Sequence, residues 1–165
     1  MHDMIAPTHY SRHAWQDRFR TPTLDDLRQP YQGLNAKFFD EARDRLCAME
    51  FLNEQIVWQG IPWRWTFTYE GAYDPERPWA YIIPHPEKPL VATPLIEAVV
   101  TWLPWQRLKR FIRDGLDGAR QVNGVRWAVW ELSHRTNLED VFDLLRRKQR
   151  YFEAVRSEQE MSGVA

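Results

Sequence analysis

Between residues 63 and 70 the chain reads W-R-W-T-F-T-Y-E, with a ring at every second position. Side chains of a strand point alternately to opposite faces. Trp63, Trp65, Phe67 and Tyr69 are therefore expected on one face, with Arg64, Thr66, Thr68 and Glu70 on the other. Aromatic and β-branched residues favour strands, so pattern and propensity agree. Each large ring can bury roughly 150–250 Å², which makes this face a main part of the expected core and calls for an amphipathic helix as cover. The alternation recurs at 55–59, with Ile56 and Trp58 on one face, and at 79–83, with Trp79, Tyr81 and Ile83 together. Residues 90–92 read as a short extended piece. Asn123-Gly124, the strongest short hairpin signal, joins strands expected at 119–122 and 125–132.

Elsewhere the apolar spacing changes to three and four residues. Thr23 and Asp26 form a capping-box variant for a short helix that Pro30 ends. Phe38, Ala42, Leu46 and Met49 mark a helix at about 36–51. Thr93 as N-cap and Pro94 at the first helical position predict a helix over 94–102, the expected lid on the aromatic sheet. Leu108, Phe111, Ile112 and Leu116 give the next segment its own stripe, with Gly118 as its stop. Thr136-Asn137-Leu138-Glu139 reads as a capping box for a last helix to about 155, buried through Leu138, Val141, Phe142, Leu145 and Phe152. The order predicts an α+β fold: an antiparallel β-sheet of about 5–6 strands packed against amphipathic helices in two layers. One domain is expected at 21–156. An arm precedes it at 1–20, with Trp15 and Phe19 docking, and a polar tail follows at 157–165.

Length and charge bound the function. A chain of 165 residues suits one domain with a sufficient core. Twenty-two basic residues balance twenty-three acidic ones, so nothing demands nucleic acid or an anionic membrane. Cys47 is the only cysteine; no internal disulfide can form, and a reducing, cytoplasmic setting is expected. Cys47 itself reads as a small buried hydrophobe. The N-terminus lacks the basic-then-apolar pattern of a signal peptide, and no apolar run approaches the roughly 20 residues of a membrane span.

Chemistry is not announced. The chain has no phosphate-binding glycine loop, no nucleophile elbow, no H-E-x-x-H and no paired-cysteine zinc pattern, so no cofactor and no metal are expected. His9 and His13 have i, i+4 spacing but lack a third ligand, and read as surface. The best binding candidates are polar groups among rings: Trp58, Arg64, Glu70, Trp79, Tyr81, His85 and Trp130. A pocket of this kind would hold a small aromatic or cationic ligand by stacking and cation–π contact. A second reading places nucleic acid on the basic helix faces of Arg107, Lys109, Arg110, Arg113, Arg146 and Arg147, part of a patch that also takes in Lys148 and Arg150. The balanced charge weighs against it. A third is a protein-interaction module, with a homodimer through the Trp102–Trp105 corner.

W-x-G-x-x-W-x-W at residues 58–65, and the strand-then-helix ending E-L-S-H-R-T-N-L-E-D-V-F-D-L-L-R-R-K, resemble the small bacterial domains grouped as DUF3788. The hairpin V-N-G-V-R-W-A-V-W-E-L is similar to the M-N-K-x-H-W hairpin of YjbR/MmcQ-like domains, with Val122, Gly124 and Arg126 in place of Met, Lys and His. The resemblance spans about 34–152. It implies an α+β domain and brings no catalytic residue to this chain. The expectation is a non-enzymatic small-molecule-binding module.

Overall fold

In the computed structural model, which describes residues 13–50, 52–71 and 73–163, six antiparallel strands form one sheet in the order β1-β2-β3-β4-β6-β5. The strands are β1 (Leu52–Trp58), β2 (Trp65–Gly71), β3 (Ala80–Ile83), β4 (Leu90–Ile96), β5 (Arg120–Val122) and β6 (Val125–Glu131). The first four are a meander, each paired with its successor in the chain. The helices are α1 (Leu24–Arg28), α2 (Gly33–Ala48), α3 (Glu97–Trp102), α4 (Arg110–Asp117) and α5 (Arg135–Ser162), with short 3-10 turns at Ala14–Gln16 and Trp105–Arg107. The expected α+β architecture, with one antiparallel sheet and amphipathic helices, is what the chain forms. No described helix is long and apolar enough to cross a membrane.

The register assigns the faces. Phe67 lies opposite Ile82 and Ile82 opposite Val91, so these share one face with Trp65, Tyr69, Thr93, Leu95, Ala128 and Trp130. On that face α2 brings Phe39 against Phe67 at 5.5 Å, and α5 brings Lys148 to Thr93. Thr66, Thr68, Tyr81, Ala92, Trp127 and Val129 belong to the opposite face. The threonines are buried although the alternation marks them as polar. Thr66 and Thr68 join hydroxyls at 3.2 Å, and Gln59 folds over to donate to Thr68 Oγ1 at 3.2 Å.

Two aromatic residues leave the face that period two gave them. Trp63 is not in the strand: Arg64 takes φ 60°, which breaks the extended chain, and Trp63 turns to pack on Tyr81 at 5.1 Å on the far side of the sheet from Trp65. Trp79 precedes β3 and packs beneath α5, with Phe152 at 5.6 Å and Tyr73 at 5.2 Å, away from Tyr81. In both cases the residue stands just before its strand begins, where the ladder does not yet dictate orientation.

Other boundaries shift for identifiable reasons. Thr93 and Pro94 do not start a helix; β4 continues through them, pairing Thr93 with Ala128 and Pro94 with Trp127. The β3–β4 ladder ends at Ala92, so one side of β4 is unladdered at Pro94, where a proline is tolerated. The lid is therefore α2 and α5, and α3 is a single short helix. The capping box at Thr136 is not formed either. The helix starts two residues earlier, with His134 at its cap, and Glu139 instead reaches Arg45. The Thr23–Asp26 box is present in both directions, and Asn123 (φ 52°) and Gly124 (φ 74°) make the expected tight hairpin. In the arm, Trp15 is buried, donating Nε1–H to the Trp63 carbonyl at 3.0 Å, while Phe19 stays exposed. Helix α5 runs through Ser162, past the expected start of the tail. His9 lies outside the described residues, and with it the His9–His13 pair. Among the described residues no group of three or more His, Cys, Asp and Glu converges as a metal site.

Candidate functional site

A cavity of about 640 Å³ opens on the sheet face opposite α2 and α5. Three mutually packed rings wall it. Trp63 stands 5.1 Å from Tyr81 and 5.9 Å from Trp127, and Tyr81 stands 6.1 Å from Trp127, all in tilted or edge-on geometry. Trp63 comes from the β1–β2 turn, Tyr81 from β3 and Trp127 from β6. The opposing wall is the passage from α4 into β5: Asp114, Gly115, Gly118, Ala119 and Arg120. Helix α4 can approach this closely because residue 115 lacks a side chain. A Cβ there would lie 2.0 Å from Trp130 Nε1.

The polar groups of the cavity are few. Asp114 and Arg120 are exposed at its mouth, and Asp114 faces Arg110 at 3.6 Å. Tyr81 is almost wholly buried. Its hydroxyl pKa is pushed up to about 12, by desolvation first and then by the negative charge of Glu70. The phenol therefore stays protonated at neutral pH and keeps its donor. The lining contains no His, Cys, Ser or Thr.

The sequence-derived candidates do not form one site. Tyr81 alone lines the main cavity. Trp58 and Arg64 meet in a separate groove with Gln16, Arg18, Gly60 and Ile61. Trp79 is core, 1% exposed. Trp130 is buried on the opposite sheet face, donating to the Phe111 carbonyl at 3.3 Å. Glu70 is exposed at the end of β2, beside Asp74 and Arg77. His85 is tied into its loop: Nδ1 accepts from the Glu87 amide at 3.2 Å, the ring abuts Trp15 at 5.1 Å, and its carbonyl accepts from the Tyr31 hydroxyl at 2.6 Å.

Trp63 and Trp127 join the cavity unannounced, the first because it reads as core. A signal for Trp127 existed. The strand 125–131 is apolar on both faces, and one helical layer covers only one of them.

Arg107, Lys109, Arg146 and Arg147 do come together, across a groove between the α3–α4 link and α5. Glu139, Asp140 and Asp143 line the same groove, and Asp143 pairs with Arg147 at 2.9 Å and Arg146 at 3.8 Å. Arg110 and Arg113 are on α4. Interleaved carboxylates leave little net field for a phosphate backbone there. At the proposed dimer corner Trp105 is half-buried, its Nε1–H donating to the Val100 carbonyl at 2.8 Å, and Trp102 is exposed with its ring against Tyr151.

Two further clusters escaped the sequence reading. Lys148, assigned to the basic patch, is buried at 1% exposure; Nζ donates to the Trp79 carbonyl at 2.9 Å and to Thr93 Oγ1 at 3.0 Å. Desolvation pushes its pKa down to about 7, partly offset by the charge of Asp74. Its position was legible, since 148 falls on the helical stripe between Leu145 and Phe152. Cys47 is exposed, not buried. Its Sγ lies 3.3 Å from Glu54 Oε2, which also receives the Tyr69 hydroxyl at 2.6 Å and the Arg43 Nε at 3.0 Å. Desolvation and this carboxylate push the thiol up to about 11, the opposite of an activated nucleophile.

No protein-family model matches the chain, and no curated protein matches it.

Proposed function

We propose that this protein is a binding module for a small planar ligand, aromatic or cationic, held in the cavity of Trp63, Tyr81 and Trp127. One observation carries the reading: two half-buried tryptophans, Trp63 and Trp127, and the buried Tyr81 they pack on line an open cavity of about 640 Å³. That volume lies within the range typical of small-molecule sites, roughly 300–1,000 Å³. Indole faces stack on a planar ligand and attract a cation through the ring quadrupole. The protonated Tyr81 hydroxyl supplies a donor at the wall, and the charges of Asp114 and Arg120 sit at the mouth. Without an imidazole, thiol or aliphatic hydroxyl in the lining, the arrangement favours binding over catalysis.

A thermal-shift screen of aromatic and cationic metabolites tests this. A ligand at about a hundred times its dissociation constant adds about 2.7 kcal/mol to stability. The expected result is a rise in Tm that disappears in Trp127→Ala. A panel without any shift, or one in which Trp127→Ala retains every shift, overturns the reading.

A further inference from the structure

The Gly60–Arg64 turn has a second side. Ile61, itself 80% exposed, borders both the aromatic cavity and a separate groove of about 570 Å³ lined by Gln16, Arg18, Trp58, Gly60 and Arg64. We propose that this groove binds a small aromatic anion, a planar ring bearing a phosphate or a carboxylate, with the anion on Arg18 and Arg64 and the ring on Trp58. The site is independent of the aromatic cavity and stands whether or not that cavity binds anything.

The charge of the groove is one-sided. Two guanidiniums line it with no carboxylate, and among the described residues neither is in an ion pair. The acid nearest in sequence is engaged locally: Asp17 Oδ1 accepts from the Phe19 amide at 3.0 Å. Several arginines elsewhere are paired at close range, as in Arg43–Glu54 and Arg28–Asp40.

Arg64 is also held in place. Its Cζ lies 5.2 Å from the Trp15 ring centre, and Trp15 is fixed by its bond to the Trp63 carbonyl. A guanidinium resting on a ring keeps its in-plane N–H donors, and these match the paired oxygens of a carboxylate or phosphate. Arg64 holds this place at φ 60°, a backbone conformation that glycine adopts freely and that costs another residue about 1–2 kcal/mol. Backbone cost at a residue whose charge has no internal partner is a mark of a functional position. Gln16 adds an amide, and Trp58 a half-buried ring set edge-on to Trp65 at 5.6 Å, which gives a planar ligand a surface. Two cations without an anion select against a cationic ligand, and the ring selects against a bare inorganic ion.

Calorimetry on the full chain at low salt tests the proposal, with adenosine monophosphate, benzoate, adenosine and orthophosphate as probes. At least one of the two aryl anions is expected to bind, about tenfold or more tighter than adenosine and orthophosphate. Which of them binds distinguishes a phosphate from a carboxylate ligand. Arg64→Gly removes the guanidinium and gives the backbone the residue suited to φ 60°, so the variant is expected to fold and to lose the bound anion. Arg18→Gln weakens binding in the same direction, Trp58→Leu erases the preference over orthophosphate, and the Arg64-dependent binding persists in Trp127→Ala. The proposal is overturned if neither aromatic anion binds, if adenosine binds as well as they do in the Trp127→Ala background, or if binding survives Arg64→Gly.

Discussion

Lys148 Nζ stands 4.1 Å from the centre of the Trp79 ring and donates to the carbonyl of that same residue at 2.9 Å. One tryptophan thus receives the amine through both its backbone and its π face, and Thr93 Oγ1 completes the shell at 3.0 Å. Of the neighbouring charges, Asp74 favours the ammonium and Arg77 opposes it.

The amine makes stability depend on pH. Its folded pKa, about 7, lies below the ordinary lysine value of 10.5. Between these values the unfolded chain holds more protons than the folded one, so stability rises with pH across the window and the penalty is complete below it. Denaturant titrations of wild type and Lys148→Met from pH 7 to 9 should diverge: the difference between them changes steadily with pH as the wild type gains. Lys148→Ala adds a cavity and costs about 2–5 kcal/mol.

Thr93 donates to the Trp79 carbonyl at 2.8 Å while accepting from Lys148. Thr93→Val keeps the shape and removes both bonds in a buried place. A loss of about 1–3 kcal/mol is expected in urea. In a double-mutant cycle with Lys148→Met the two changes should be non-additive by at least about 0.5 kcal/mol, since they share one network.

Gly115 is required by contact rather than by a turn. An added Cβ would meet Trp130 at 2.0, 2.5 and 2.7 Å, and Trp130 is buried. Gly115→Ala should gain nothing from helix propensity and destabilise by about 1–3 kcal/mol, through overpacking. The measurement is the urea midpoint at unchanged m-value.

Glu54 controls Cys47. Desolvation raises the Glu54 pKa, but the bonds from Arg43, Tyr69 and Cys47 outweigh it and the net shift is downward. Its contribution to stability is present above the ordinary glutamate pKa and is lost as pH falls through the lowered folded value. Glu54→Gln should therefore blunt acid sensitivity below about pH 5. It should also speed thiol labelling of Cys47 at pH 8, because the anion beside the sulfur is gone. Equal labelling rates in the two proteins would separate Cys47 from Glu54.

What the sequence made legible follows the reach of its patterns. Period two located β2, β3 and the second half of β1, and Asn123-Gly124 the hairpin, because these are local facts of backbone geometry; of β4 only 90–92 was read as extended. Trp63 and Trp79 were misplaced because each stands just outside its strand, two residues before β2 and one before β3. Thr93 and Pro94 carry a helix-start signature that seven paired positions between β4 and β6 override. The Lys148 shell joins residues 55 and 69 positions apart, and the cavity draws rings from a turn and two strands and a wall from a helix end. No window of sequence contains such a constellation. Arg64 with Trp58 was within reach, since the turn that brings them together spans only Gly60–Arg64.

The meander order of β1 to β4 has a consequence for synthesis. On the ribosome these four neighbours can zip together as they emerge, each with the strand just made. The helix that roofs Trp79 and brings Lys148 is translated only after all six strands. Until it arrives, a nascent chain displays Trp79 and the inner rings of the sheet as a sticky face. Premature termination before residue 135 would thus leave a nearly complete sheet with only the α2 half of its roof, a species prone to aggregation.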